Sequence, residues 1–270
     1  MKNVVLTGAS GVLCAEFARE LGRLGYRLAL IARHEETLLP LRDEIREKGG
    51  VAYAYAADVT DEAAVKAAHE RILEDLGPCD ILINGAGGNH PSGTTDQETC
   101  QPGAQTGRTF FDLTREGFSH VFDLNLWGTV LPCQIFAADM LGREGCCILN
   151  ISSMAAFHPL TTTPAYCASK AGISNFTPWL AVHLAPCGIR VNALAPGFFL
   201  THQNRDLLLA PDGTPAPRAG KILNHTPMGR FGKPEELLGA LRFLLNDEDA
   251  GFVTGCVLPV DGGFSAYSGV

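Results

Sequence analysis

Short apolar runs alternate with amphipathic stretches along nearly the whole chain. Asn3–Thr7, Arg27–Ala32, Val51–Ala56, Asp80–Asn84, Cys146–Ser152, Ile189–Ala195 and Cys256–Pro259 read as strands, being compact, mostly apolar and bounded by glycine, proline or polar residues. Between them, Gly11–Gly25, Glu35–Lys48, Asp61–Leu76, Arg115–Arg143 and Pro164–Cys187 carry helical periodicity. Thr60 is placed to cap the third helix. A further helix starts at Pro234, with Glu235 and Glu236 in the first turn, where the helix dipole favours carboxylates. Pro132 and Pro178 fall inside predicted helices. Each removes a backbone hydrogen bond there, and the second predicts a bend near Ser174.

Repeated strand–helix alternation predicts an α/β fold, a doubly wound parallel sheet of about seven strands in one Rossmann-type domain spanning 1–270. The strand count and the glycine-rich first turn speak against an eight-unit barrel. Two stretches break the rhythm, 88–111 and 198–233. Both follow strands, so both are expected at the carboxyl ends of a parallel sheet, where such sheets bind ligands, and together they are expected to wall a substrate pocket.

The first strand runs into Thr7-Gly8-Ala9-Ser10-Gly11-Val12-Leu13-Cys14 and then a helix. A glycine turn that opens a helix offers backbone N–H groups to a pyrophosphate, which makes Gly8, Ser10, Gly11, Val12 and Leu13 candidate dinucleotide contacts. A carboxylate for the adenosine ribose is usual about 20 residues after the glycines. Here Ala32-Arg33 stands at the end of the second strand, so a 2′-phosphate is not repelled and Arg33 can pair with it; NADP(H) is expected over NAD(H). Asp58-Val59 ends the third strand and is expected at the adenine. Asn84-Gly85-Ala86-Gly87 ends the fourth, where glycine lets backbone approach a cofactor.

The bulk numbers narrow the partners. Of 270 residues, 46% are hydrophobic and 19% charged, which suits a packed globular chain, and the net charge of -8 repels nucleic acid and anionic membranes. The nine cysteines show no CxxC pair, so reduced thiols are expected, with adjacent Cys146 and Cys147 packed in a buried strand. No signal peptide is read before the first strand and no apolar run of membrane-spanning length is read from the pattern, so a cytoplasmic protein is expected.

Tyr166 and Lys170 lie four apart at the start of a predicted helix and so share a face. A nearby ammonium favours the phenolate, which predicts a Tyr166 phenol acidified towards useful acid/base range. Ser153 ends the preceding strand and can hold the reacting oxygen; Asn125 lies on the long helix before it. A Tyr-x-x-x-Lys pair alone is a weak signal. Joined to Ser153, the first-strand glycine turn and Asn84-Gly85-Ala86-Gly87, it resembles the short-chain dehydrogenase/reductase family over essentially the whole chain. The resemblance implies Asn125, Ser153, Tyr166 and Lys170 as a catalytic tetrad, with Tyr166 passing a proton while a nicotinamide exchanges hydride. It also implies Lys170 on the nicotinamide ribose, Asn125 positioning a relay water, Pro196, Gly197, Phe199 and Thr201 on the nicotinamide side, and a homotetramer whose main dimer contact is the two long helices. Val12 and Cys14 depart from the family's glycine motif, which has Gly at both positions.

Four segments resemble one bacterial branch of that family, the D-mannonate oxidoreductases (fructuronate reductases): residues 84–91, 195–201, 225–232 and 262–270. The branch implies a keto sugar acid, D-fructuronate, interconverted with D-mannonate, and usually NAD(H) with Asp where this chain has Ala32. Such a substrate calls for cations and hydrogen-bond donors. Asn89, His90, His158, His202, Asn204 and Arg205 are the candidates, with Ser153. Another polyol, gluconate or oxoacyl substrate, and a dinucleotide-binding scaffold without turnover, remain open alternatives at this point.

Overall fold

The computed structural model describes residues 1–103, 107–201, 208, 210 and 214–269. Seven parallel strands, β1 (Asn3–Thr7), β2 (Arg27–Ala32), β3 (Val51–Ala56), β4 (Ile81–Asn84), β5 (Cys146–Ile151), β6 (Ile189–Pro196) and β7 (Val257–Val260), form one sheet in the order β3-β2-β1-β4-β5-β6-β7. Side chains alternate across it. Val4, Leu6, Leu28 and Leu30 join one core with Phe17 and Leu21 of α1 (Val12–Arg23), Leu41 and Ile45 of α2 (Leu39–Glu47), and Leu241 of α8 (Leu238–Leu245). Val5, Ala29, Ile31 and Ile148 join the other, with Ile72 of α3 (Glu62–Asp75), Phe136 of α5 (Gly128–Phe136) and Leu180 of α6 (Pro164–Leu184). Burial on both faces is why the strands read as continuous apolar runs. The order reverses between β1 and β4, and the crevice beyond that switch point is where such sheets take ligands.

Three local readings change. Asp61, not Thr60, caps α3: its carboxylate accepts from the Ala63 and Ala64 N–H groups, while Thr60 turns to Asp58. A carboxylate one residue nearer the helix outcompetes the hydroxyl. The predicted long helix is α4 (Arg115–Phe122), a π-turn at Asp123–Trp127 containing Asn125, α5, and a 3-10 turn at Ala137–Met140. Taken together Arg115–Met140 is long and apolar enough to cross a membrane, against the reading that no such run exists; half of its apolar window is buried inside the fold, as a core helix requires. Pro178 sits inside α6, which continues as one helix to Leu184.

The two irregular stretches touch. Lys221, on α7 (Pro217–Asn224), pairs with Glu98 at 2.7 Å, and the Thr95 N–H donates to the Thr162 carbonyl at 3.0 Å, just before α6.

Candidate active site

Along the carboxyl ends of β1 to β4 lies a cavity of about 310 Å³, lined by Gly8, Ser10, Gly11, Val12, Leu13, Cys14, Ala32, Arg33, Asp58, Val59, Gly85, Ala86 and Gly87 among others. Its floor is backbone. Gly8 has φ +66°, a left-handed turn that L side chains rarely adopt, and a Cβ there would come within 2.6 Å of the Ala86 nitrogen. Gly11 enters α1 with no side-chain cap, so the first N–H groups of the helix are left to a ligand. The cradle fits a dinucleotide pyrophosphate. At the other end Arg33 is exposed beside buried Ala32. Burial pushes the Asp58 carboxyl up, but the Thr60 N–H and hydroxyl (2.9 and 2.7 Å), with Arg33 and His120 nearby, win and hold it below its usual range. An ionised Asp58 at the cavity suits an adenine amino group.

One of the two departures from the glycine motif, Cys14, has a local explanation. A Cβ on Gly85 would lie 2.2 Å from Cys14 Sγ. The thiol therefore occupies the space that Gly85 leaves, and Cys14 enters the helix because position 85 has no side chain. Val12 is half-buried in the first turn of α1, lining the cavity.

At the inner end of this cavity the four candidate reacting residues converge. The Lys170 ammonium donates to the Ile151 carbonyl at 2.8 Å and lies 5.8 Å from the centre of the Tyr166 ring. Ser153 caps a 3-10 turn, accepting from Ala155 N–H at 3.1 Å, and its hydroxyl lies beside the Tyr166 phenol, whose charged form it favours. Asn125 is fully buried: Oδ1 accepts from Gly88 N–H at 2.8 Å, and Nδ2 donates to the Gly88 carbonyl (2.8 Å) and to Ser169 Oγ (2.9 Å). A Cβ on Gly87 would come within 2.7 Å of Asn125 Oδ1 and 3.3 Å of Lys170 Nζ, so Gly87 joins the cavity to the reacting groups. Tyr166 and Lys170 share one helix face, as their spacing requires.

The electrostatics differ from the sequence expectation. Burial raises the Tyr166 phenol above its ordinary value, and the Ser153 hydrogen bond only partly offsets this. Burial also lowers Lys170 to about 8, with Cys14 opposing weakly. Charge–charge acidification by Lys170 is thus not what governs the protein alone: desolvation penalises both charged forms first. The site holds a phenol ready to give a proton, beside a lysine that is easily neutralised.

Most of the other predicted contacts have partners within the protein. Asn84 is not at the cavity: Nδ2 donates to Asn150 Oδ1 (3.0 Å) and Cys133 Sγ (3.1 Å), because at the last position of β4 its side chain falls on the α5–α6 face. The Phe199 ring is buried in the main core, 2.6 Å from where a Cβ on Gly232 would sit, and the residue borders a second cavity with Phe198, Met228 and Arg230. His90 caps the 3-10 turn after it, with Nδ1 2.6 Å from Ser92 Oγ, and its ring lies tilted against His120, centres 4.3 Å apart. Asn89 is exposed. Gly197 N–H donates to the Val260 carbonyl at 2.9 Å, fixing the Pro196-Gly197 turn to the end of β7, and Thr201 lies half-buried further along. His158 is exposed and bonds the Ser265 carbonyl at 2.7 Å through Nε2. His202, Asn204 and Arg205 lie outside the described residues.

Sequence reading missed Ser169. Its hydroxyl accepts from Asn125 and donates to the Tyr166 carbonyl at 2.8 Å, tying two of the four residues together. The signal was present: Ser169 is three residues after Tyr166 and so one helical turn away. It also missed Ile151, Leu124 and Cys14 at the cavity.

A family model for short chain dehydrogenases matches residues 2–210. The chain belongs to the short-chain dehydrogenase family. Among relatives of this dehydrogenase, an uncharacterized oxidoreductase of Haemophilus influenzae is 53% identical over 270 residues, covering 100% of this chain and 95% of that protein. The uncharacterized oxidoreductase UxuB of Bacillus subtilis is 52% identical over 269 residues, covering 100% and 96%. A crystal structure of a candidate D-mannonate oxidoreductase from Haemophilus, with bound NAD, superposes at a TM-score of 0.97 with 53% identity, covering 100% of this chain and 96% of that one. The chain is therefore an oxidoreductase on a Rossmann-type fold, of a family that uses nicotinamide dinucleotides.

Proposed function

We propose that the protein interconverts D-fructuronate and D-mannonate with a nicotinamide dinucleotide. The observation that carries this reading is the likeness, over the full chain, to the Haemophilus structure named as a candidate D-mannonate oxidoreductase. The convergence of Asn125, Ser153, Tyr166 and Lys170 at the inner end of the cavity supports turnover rather than a silent scaffold. When bound, the nicotinamide supplies the hydride or accepts it. In reduction the Tyr166 hydroxyl donates its proton to the carbonyl oxygen of the substrate, and Ser153 hydrogen-bonds the same oxygen; in oxidation Tyr166 Oη takes the proton back. Lys170 reaches the nicotinamide ribose beside Gly87, and Asn125 holds a water that returns the proton. Pro196, Gly197 and Thr201 lie on the nicotinamide side; Gly8, Ser10, Gly11, Val12 and Leu13 take the pyrophosphate; Asp58 and Val59 take the adenine.

Two observations pull apart on the cofactor. Ala32-Arg33 removes a carboxylate and offers a cation to a 2′-phosphate, which favours NADP(H). The Haemophilus relative holds NAD. The reading that accommodates both is a site that accepts NAD(H) and, through Arg33, admits NADP(H) as well.

The exposed apolar residues Trp179 and Val182 on α6, with Leu141 beyond α5, support a second copy covering this face, the first step to the expected homotetramer. Sedimentation of wild type against Trp179→Asp tests it: a monomeric wild type ends the assembly reading.

For the activity, purified protein is assayed with D-fructuronate and each reduced dinucleotide, and with D-mannonate and each oxidised one. The expected result is turnover in both directions with NAD(H) at least equal to NADP(H). Turnover of other ketones with inactivity towards both sugar acids would remove the substrate and leave the oxidoreductase.

A further inference from the structure

The C-terminal tail was absorbed by neither the cofactor cavity nor the four reacting residues, yet it is built onto them. After β7, Gly262 and Gly263 take successive left-handed conformations, φ +65° and +89°, and turn the chain back. Side chains at these positions would meet Thr226 Cγ2 at 2.9 Å and Pro227 Cγ at 3.1 Å. The Asp261 carboxylate holds the turn by accepting from the N–H groups of Gly263 (2.9 Å) and Ser265 (2.8 Å) and from the Ser265 hydroxyl (2.5 Å). The result is placement of one ring. Phe264 packs against the buried cluster of Met154, Ala155 and Cys167, the same cluster on which Tyr166 and Phe198 rest, and its centre is 5.4 Å from Phe198.

Two histidines flank that ring. His158, on the segment that follows Ser153, bonds the Ser265 carbonyl at 2.7 Å through Nε2. His225, at the end of α7, bonds the Lys221 carbonyl at 2.9 Å through Nδ1, with its ring 6.4 Å from Phe264 and 6.1 Å from Tyr267. A carbonyl only accepts, so in each case the bonded nitrogen carries the hydrogen. A neutral imidazole held this way keeps its other nitrogen as a bare acceptor: Nδ1 of His158 and Nε2 of His225.

We propose that the tail is the specificity wall of the substrate site, with Phe264 as an apolar floor and His158 and His225 as fixed acceptors that select polyhydroxylated carbonyl compounds over apolar ones. This deepens the sugar-acid reading and rests on it for the substrate's identity. The chemistry matches in kind. A carbohydrate has a C–H face that lies on an aromatic ring and hydroxyls that donate outward. Both histidines are exposed, so a ketone without hydroxyls leaves their acceptors to water and gains nothing from them, whereas a polyhydroxylated substrate gains their hydrogen bonds and the contact of its C–H face with Phe264.

The test compares the wild-type holoenzyme with Phe264→Ala, His158→Phe and His158→Gln, measuring kcat and KM for fructuronate, a neutral ketohexose and cyclohexanone. In Phe264→Ala and His158→Phe the preference, as a ratio of kcat/KM for the hydroxylated substrates over cyclohexanone, is expected to fall by about tenfold or more, through KM. His158→Gln, which keeps an acceptor, recovers part of it. An unchanged ratio overturns the wall. A wild type that takes the ketohexose but not fructuronate overturns the sugar-acid reading and leaves the wall to be judged by the same ratio. A readout independent of any substrate is the rate at which N-acetylimidazole modifies Tyr166, read by peptide mass in the NAD-bound protein. Phe264→Ala is expected to raise it severalfold; an equal rate in the two proteins shows that the tail does not cover the reacting tyrosine, and the proposal falls even if no tested substrate turns over.

Discussion

The two ends of this crevice, one at the β1–β4 strand ends and one at Tyr166, are built in different ways. Around the β1–β4 ends the wall is backbone: Gly8, Gly11, Gly85 and Gly87 let main chain or a neighbouring side chain stand where a Cβ would be, and the sheet fixes every element to its neighbour. Around Tyr166 the wall is side chains and loops joined over long sequence distances: His158 to Ser265, Phe198 to Phe264. A backbone wall suits a ligand that is shared across a family, because it tolerates no change and needs none. A side-chain wall can be altered one residue at a time without disturbing the sheet, which is what a variable substrate requires.

The largest expected effect lies where the halves meet. Tyr166→Phe removes the proton donor and should lower kcat by about a hundredfold to ten-thousandfold, while calorimetry finds dinucleotide affinity close to wild type. A matching loss of affinity would mean that the halves are not separable at Tyr166.

Next is the backbone half itself. Gly85→Ala drives a methyl into Cys14 Sγ and close to the Thr7 carbonyl, 2.9 Å away, and should cost about 1–3 kcal/mol in denaturant unfolding. Cys14→Gly in the same chain should return part of that loss. A double variant no better than the sum of the singles would show that Cys14 is not what fills the space.

Lys170 tests the coupling of burial to pH. Its value of about 8 in the fold lies below the 10.5 of an unfolded lysine, so between these the unfolded chain binds more protons and stability rises with pH; below pH 8 the full penalty is present. Lys170→Met should therefore abolish turnover yet stabilise the protein at pH 7 by about 1 kcal/mol, with the gain fading towards pH 10. A variant less stable than wild type at pH 7 would show that the bond to Ile151 outweighs desolvation.

A smaller effect is expected at Arg33, which is exposed at the rim. Arg33→Ala should weaken NADPH by about tenfold and NADH by less than about twofold, since only one carries a 2′-phosphate. Equal effects would remove the phosphate role. The smallest is Lys221→Ala: an exposed pair with Glu98 contributes little, so unfolding should move by less than about 1 kcal/mol, and any larger change in KM than in stability would mark the loop junction as functional.

The fold was legible because seven apolar runs separated by helical periods admit few arrangements, and a sheet buried on both faces writes itself into the sequence. Tyr166, Lys170 and Ser153 were legible because helix spacing and strand ends fix where they point. Other residues were not. The run Asn84–Gly87 did not show that sheet parity sends the Asn84 side chain to Asn150 while the next three residues line the cavity. His90 gave no sign in the sequence that its ring would lie against Ser92 and His120. Ser169 had only its spacing from Tyr166, and the tail only its resemblance to one branch; what either touches is decided by the fold.

The chain's own pattern thus determined the sheet, its winding and the helix face shared by a tyrosine and a lysine, because these depend on periodicities of a few residues. Tertiary structure alone decided that Cys14 fills the space of Gly85, that Asn125 rests on Ser169, and that Phe264 returns to the tyrosine's cluster. It also decided the charge states, since desolvation depends on everything packed around a group and not on the residue four positions along.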